Sequence, residues 1–153
     1  MKTRKVESRK AEPRRADPPT AESRKVLVDG SNVAHFTEGD GPRLQNILLV
    51  MEKLRSEGLQ PLIVADAALR HQIDDKAQYE RLIESGVVHQ APAGTDADFF
   101  ILSFAREKDA RVLTNDRFRN VAREFAKERD RVIRFMIVDG SVVLEFRNRR
   151  RRG

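Results

Sequence analysis

A chain of 153 residues is enough for one domain of ordinary size. Its 30 Lys and Arg exceed its 24 Asp and Glu for a net charge of +6, yet residues 1–24 carry +4, residues 147–153 carry +5 and the body between them carries −3. That distribution excludes a uniformly basic, histone-like wrapper, and the absence of cysteine excludes a disulfide scaffold, a thiolate metal site and a cysteine nucleophile.

Residues 1–24 are rich in Lys, Arg, Glu and Pro, with too little apolar surface to offset the entropy of ordering, and are expected to be a disordered basic tail. Lys25-Val-Leu-Val-Asp29 is a short apolar run ending in Asp-Gly, the pattern of a buried strand. Residues 42–57 place Leu44, Ile47, Leu48, Met51 and Leu54 at helical spacing, with Pro42 near the start and Gly58 just past the end. Pro61-Leu-Ile-Val-Ala65 predicts a second strand, residues 74–85 a helix stopped by Gly86, and Val87-Val-His-Gln-Ala91 a third strand. Residues 96–107 predict a helix, Ala110-Arg-Val-Leu-Thr114 a strand, and residues 117–128 another helix. Val132–Val138 and Val142–Phe146 flank Asp139-Gly140-Ser141, the pattern of a hairpin. Residues 147–153 hold five arginines and are expected to be unstructured by self-repulsion.

Strands separated by amphipathic helices predict an α/β fold: a doubly wound, mainly parallel sheet flanked by helices, with a C-terminal β-hairpin, over residues 25–146. In such sheets chemistry gathers beyond the carboxyl ends of the strands, near the topological switch point. The acids there are Asp29, Asp66 and Asp116, and Asp96 and Asp98 open the helix leading into the strand that ends at Asp116. Helical spacing puts Asp98 on one face with Ile101, Leu102 and Ala105, which turns it toward the sheet rim. Three carboxylates from separate parts of the chain then converge, and such a cluster favours a cation between them. Oxygen ligands without Cys or clustered His suit Mg²⁺ or Mn²⁺, which activate water and neutralise a phosphodiester. Each acid also has a purely structural reading. Thr95 and Asp98 can form a capping box, Asp116 can cap the next helix, and Asp29-Gly30 can make a turn. Asp139-Gly140-Ser141 repeats the letters of Asp29-Gly30-Ser31, but its β-rich flanks make it a hairpin turn.

Val28-Asp-Gly-Ser-Asn-Val33, the acidic start of the helix at Asp98, and Asn115-Asp116-Arg-Phe-Arg together resemble the motif set of NYN-domain ribonucleases in the PIN-like superfamily. The pattern is that of the Regnase-type NYN domain, over about residues 25–140. The resemblance implies a metal-dependent endoribonuclease that prefers single strands and leaves 5′-phosphate and 3′-hydroxyl ends. Carried over, Asp29, Asp98 and Asp116 match metal-binding catalytic acids, and Asn32 matches the residue that helps order them. The sequence departs from the Regnase pattern in three ways. Ala97 precedes Asp98, so the extra acid and potential metal ligand is Asp96; Asn120 stands where a further acid is expected; and no CCCH zinc finger is possible.

Arg117 and Arg119 flank the acids and can hold the scissile phosphate, with solvated charge on a first helical turn as the alternative. Ser31 is placed to touch substrate but lacks a His–acid pair to make it a nucleophile. Asp66 and His35 are either rim residues or ordinary loop residues. No Gly-x-Gly-x-x-Gly or P-loop motif is present, so no organic cofactor is expected. The basic tails suit recruitment of RNA without sequence readout, and the core offers no exposed-looking aromatic interleaving for base stacking. A catalytically silent RNA-binding module of the same fold is the main rival; a receiver-type phosphoacceptor lacks its paired acids and its Lys. No apolar run approaches the ~20 residues of a membrane span, and no secretory signal stands at the start. The expectation is a cytoplasmic protein with RNA as partner and no membrane, and a homodimer is left open.

Overall fold

The computed structural model describes residues 24–146 apart from 38, 40 and 122; the tails expected at 1–24 and 147–153 lie outside the described residues except for Arg24, whose carbonyl accepts from Gln60 N. A six-stranded sheet runs in the order β3-β2-β1-β4-β5-β6, built from β1 Lys25–Asp29, β2 Gln60–Ala65, β3 Val88–Gln90, β4 Arg111–Leu113, β5 Ile133–Val138 and β6 Ser141–Phe146. The first five strands are parallel to their neighbours, and β6 returns antiparallel to β5. The doubly wound α/β architecture and the terminal hairpin are those expected from the sequence.

The central strands have apolar side chains on both faces because both faces are covered. Val26 and Val28 of β1 join Ile63, Val88 and Leu113 against α1 (Gly30–Ala34), α2 (Leu44–Ser56), α3 (Leu69–Gln72) and α4 (Lys76–Glu84). Leu27 points the other way, with Val64 and Val112, into a second core supplied by α5 (Ala97–Lys108) and by Phe118 and Phe125. Helices therefore change sides after β3, and the switch point falls between β1 and β4. That crevice, outside the carboxyl ends of the two strands, is where such folds bind and react.

Helix α2 buries Leu44, Ile47, Val50, Met51 and Leu54 and stops before Gly58, whose φ of 80° suits glycine. Its start has no local side-chain cap; Asp74, thirty residues on, accepts from Leu44 N at 2.9 Å. Buried Asn46 donates from Nδ2 to the carbonyls of Val33 and Ala34, joining the backbone bonds from Phe36 N and Arg43 N at the end of α1 and tying α2 to it.

The helix expected over 117–128 does not form. Residues 114–121 are loop, and beyond them come a 3₁₀ turn at Arg123–Phe125 and the short α6 at Ala126–Arg129. Phe118 has φ of 50°, and its amide bonds to Asp116 Oδ1 at 2.8 Å, closing a turn that cannot continue as helix. The distortion delivers Phe118 into the second core, where it is fully buried.

Candidate active site

The switch-point crevice is a cleft of about 320 Å³, lined by Asp29, Ser31, Asn32, Asp66, Asp98 and Asp116 among others. Asp29 ends β1 and caps α1: Oδ1 accepts from Asn32 N at 3.3 Å, and Oδ2 accepts from Thr114 Oγ1 at 2.8 Å. Gly30 comes next in a tight place, where any side chain would press on β2. A Cβ there would stand 3.0 Å from Ile63 Cγ2 and 3.2 Å from Val64 O. Ser31 presents a buried Oγ without a hydrogen-bond partner among the described residues. Asn32 Oδ1 accepts from Asn115 N at 2.9 Å and so ties the β1 turn to the end of β4.

The β4 end is held by side chains in place of a helix. Fully buried Thr114 donates to Asp29 and accepts from Asp116 N at 3.0 Å, joining the two acids through one hydroxyl. Asn115 bonds to both Phe135 O and Phe135 N through its side-chain amide, so a side chain supplies the rung that β4 would have offered to β5. Arg134 Nη1 donates to the carbonyls of Thr114 and Asp116. Sequence reading gave none of these three a role. The available signal was polar residues where apolar strands meet, at Thr114-Asn115 and at Arg134 between Ile133 and Phe135.

Asp98 lies one residue into α5, above buried Ile101, Leu102 and Ala105 as the helical spacing required. Burial pushes its carboxyl up, and the charges of Asp116 and Asp96 push the same way. Burial also drives Asp29 up to about 6, against the hydrogen bonds from Thr114 and Asn32, with Asp98 and Asp116 adding to the rise. Three carboxylates thus share one cleft and feel one another's charge. Among the described residues, however, no group of three His, Asp or Glu side chains stands ready to hold a metal ion unaided.

Other expected site residues fall elsewhere. Asp96 is exposed and is the N-cap of α5, accepting from Asp98 N and Phe99 N; it, and not Thr95, is the cap. Asp116 caps no helix, since none begins there. Arg117 and Arg119 are exposed on the loop beyond it, not on a first helical turn. Asp66 lines the cleft while its Oδ1 accepts from Leu69 N at 3.0 Å, so it serves both readings. His35 is exposed at the mouth, with Nδ1 2.8 Å from Ser31 O. Phe99, beside Asp98, is 48% exposed and packs edge-on against Phe125, an exposed ring that the sequence reading did not single out.

Residues 22–153 match the family model described as Zc3h12a-like Ribonuclease NYN domain. The chain belongs to that family. Its NYN domain shares its fold with two solved structures of the nuclear protein-only RNase P 2 (PRORP2) of Arabidopsis thaliana. One superposes with a TM-score of 0.66 at 24% identity, covering 80% of this chain and 30% of that one. The other gives 0.65 at 22% identity, covering 80% and 29%. The NYN domain therefore spans about a third or less of those chains. Comparison with curated protein sequences gives no match. Family membership makes this an RNA nuclease domain, and among its described residues no helix is long and apolar enough to cross a membrane.

Proposed function

We propose that this NYN domain is a divalent-metal-dependent endoribonuclease acting on single-stranded RNA, with Asp29, Asp98 and Asp116 as its catalytic acids. The observation that carries the reading is the convergence of these three carboxylates in one cleft at the switch point, two of them held above the ordinary carboxylate range by burial and mutual charge. A site that crowds like charges to its own cost is organised for a cation.

The donor set fits Mg²⁺ or Mn²⁺: it is all oxygen, and Ser31 adds a buried hydroxyl that lacks a partner among the described residues. No preformed three-carboxylate cage is required, because Mg²⁺ keeps several waters and is commonly held by one or two carboxylates with substrate phosphate. When bound, such a cation supplies charge neutralisation at the phosphate and activation of the attacking water. Thr114 ties the Asp29 carboxylate to the Asp116 backbone, and the bond from Asn115 N to Asn32 Oδ1 joins the β1 turn to the end of β4. Ser31 offers its hydroxyl to a phosphate oxygen, and Arg117 and Arg119 balance its charge from the loop. Water oxygen bonds to phosphorus as the bond to the 3′ oxygen breaks. The water gives up a proton, the 3′ oxygen gains one, and the products carry 5′-phosphate and 3′-hydroxyl ends.

Asp96 is better suited to capping than to ligation, though its charge reaches Asp98. The basic segments 1–24 and 147–153 act as arms that raise local RNA concentration around a body of net −3. Cytoplasmic RNA is the proposed setting. The deciding experiment is cleavage of end-labelled single-stranded RNA by the full chain with Mn²⁺, with Mg²⁺ and with EDTA. Cutting that requires the cation, and internal products with 5′-phosphates, are expected. RNA binding without cutting under all three conditions would make the domain a binding module instead.

A further inference from the structure

Among the described residues, His35 is the only imidazole in the wall of the acid cleft, which it shares with Asp29, Asp66, Asp98 and Asp116. Its backbone amide and its ring both reach back to Ser31 O, at 3.0 Å from N and 2.8 Å from Nδ1. A carbonyl oxygen only accepts, so the chemistry of that bond assigns the proton to Nδ1. In the neutral ring Nε2 is then left with a bare lone pair. The side chain is exposed at the cleft mouth, so that lone pair is open to a ligand. The ring also has a rigid support. Asp29 caps the start of α1 and His35 caps its end, so one short helix joins an acid of the site to the imidazole. Val33 and Ala34, just before His35, are buried, and both of their carbonyls accept from Asn46.

The kind of group this nitrogen takes follows from its lone pair. A phosphate oxygen without a proton only accepts, and it cannot pair with a second acceptor. A hydroxyl or an N–H can. On a strand of nucleic acid the donor that every ribonucleotide carries, whatever its base, is the 2′-hydroxyl, and it is the group that tells RNA from DNA. It is attached to the sugar, between the phosphates that a cation among the acids would hold. A ring nitrogen fixed at the mouth of the same cleft is therefore suited to the ribose and not to the phosphate.

We propose that His35 Nε2 accepts a hydrogen bond from the 2′-hydroxyl of a ribose at the acid cleft, so that His35 selects RNA over DNA. The inference rests on the nuclease reading above for where the strand lies, but its test does not need turnover. Binding of a fluorescent oligouridylate and of an oligodeoxyuridylate of equal length to the full chain is measured for the parent, His35→Ala, His35→Phe and His35→Gln. The solution holds Ca²⁺ at about pH 8, so that a hard cation shields the acids from the strand's phosphates. The two probes share bases and phosphates, so the ratio of their affinities isolates the hydroxyl. Loss of one neutral hydrogen bond should raise Kd for the RNA about threefold to tenfold in the Ala and Phe variants, and leave Kd for the DNA within about twofold. Phe keeps a flat ring without nitrogens, so it separates lost bonding from lost packing. Gln offers an amide oxygen at similar reach and should recover part of the preference. Long-range proton–nitrogen NMR correlation of the parent should show His35 with its proton on Nδ1. A ratio unchanged in both His35→Ala and His35→Phe overturns the proposal, and so does a His35 that carries its proton on Nε2 alone. Equal losses for the two probes overturn it as well, since they assign the ring to packing. If the chain never cuts RNA with Mn²⁺ yet both variants lose the RNA preference, the nuclease reading fails and the ribose contact stands. If it cuts and the ratio does not move, the contact alone fails.

Discussion

Two Asp-Gly-Ser triplets succeed two apolar strands in this chain, and they fold in opposite ways. Asp29-Gly30-Ser31 turns directly into α1, with Asp29 capping the helix and Ser31 facing the cleft. Asp139-Gly140-Ser141 is a two-residue hairpin: Asp139 and Gly140 have φ of 50° and 77°, and Ser141 pairs with Val138. Positive φ at both central residues is the type I′ turn that matches strand twist. The glycines differ as sharply. Gly30 lacks a side chain because β2 presses on it, while Gly140 has open space and an unusual backbone. The residues immediately after each triplet decide its fate: Asn-Val-Ala-His lets the chain coil, and Val-Val-Leu-Glu-Phe pulls it back as a strand. A three-letter motif thus acquires chemistry from its surroundings.

The largest expected contrast lies in catalysis. Asp29→Asn should reduce RNA cleavage by about a thousandfold, roughly 4 kcal/mol of transition-state stabilisation, whereas Asp139→Asn should cut at the parental rate. Asp116→Asn should behave as Asp29→Asn does, because Asn keeps an acceptor for Phe118 N and removes only charge. The same two site variants should lose the rise in thermal midpoint that Mn²⁺ gives the parent, since a ligand stabilises only a state that binds it. A folded Asp116→Asn that still cuts and still responds to Mn²⁺ would remove Asp116 from the site.

Next in size is the glycine pair, read by urea unfolding. Gly30→Ala should cost about 2–3 kcal/mol, because its Cβ meets Ile63 and the Val64 carbonyl of a packed strand that cannot withdraw. Gly140→Ala should cost about 1 kcal/mol, from left-handed backbone alone. Equal costs would show that β2 yields more easily than its burial suggests.

The third contrast depends on pH. Asp29 titrates near 6 in the folded protein and near 3.8 when unfolded, so the folded state holds its proton longer. The unfolded state then binds fewer protons between those values, and stability in EDTA falls as pH rises from about 4 to about 6. The full gap is worth about 3 kcal/mol. Asp29→Asn removes that fall but weakens the contact with Thr114, so near neutral pH the variant should be about 1–2 kcal/mol more stable than the parent, with the advantage gone below pH ~4. Asp139 is exposed at a turn tip, so Asp139→Asn should shift stability by no more than about 0.5 kcal/mol. Parallel pH curves for the parent and Asp29→Asn would deny Asp29 its raised pKa.

Most elements were legible because their signals are local. The apolar run before Asp29, the periodic face from Leu44 to Leu54 and the Asp-Gly between two β-rich segments each fold as their own pattern dictates. The face of α5 that aims Asp98 at the rim was equally readable, as helical spacing fixes it. The segment after Asp116 was not. Its composition suits a helix, but Phe118 is drawn into the second core, Asn115 within the loop bonds to the β5 backbone, and Arg134 of β5 holds the carbonyls of Thr114 and Asp116 from up to twenty residues away. The cap of α5 also went to Asp96 instead of Thr95, a choice of one residue that backbone geometry makes and composition does not.

The sequence by itself determined the alternation of strands and helices, the parallel sheet that results from it, and the identity of the acids at the strand ends. These depend on periodicity and on residue type, both of which are properties of neighbours along the chain. Only the tertiary structure decided that Asp29, Asp98 and Asp116 share one cleft, and that a single buried threonine ties the carboxylate of Asp29 to the backbone of Asp116. Those depend on strand order, which placed β4 beside β1 across the intervening chain of residues 30–110, and on hydrogen bonds between side chains that no local pattern announces.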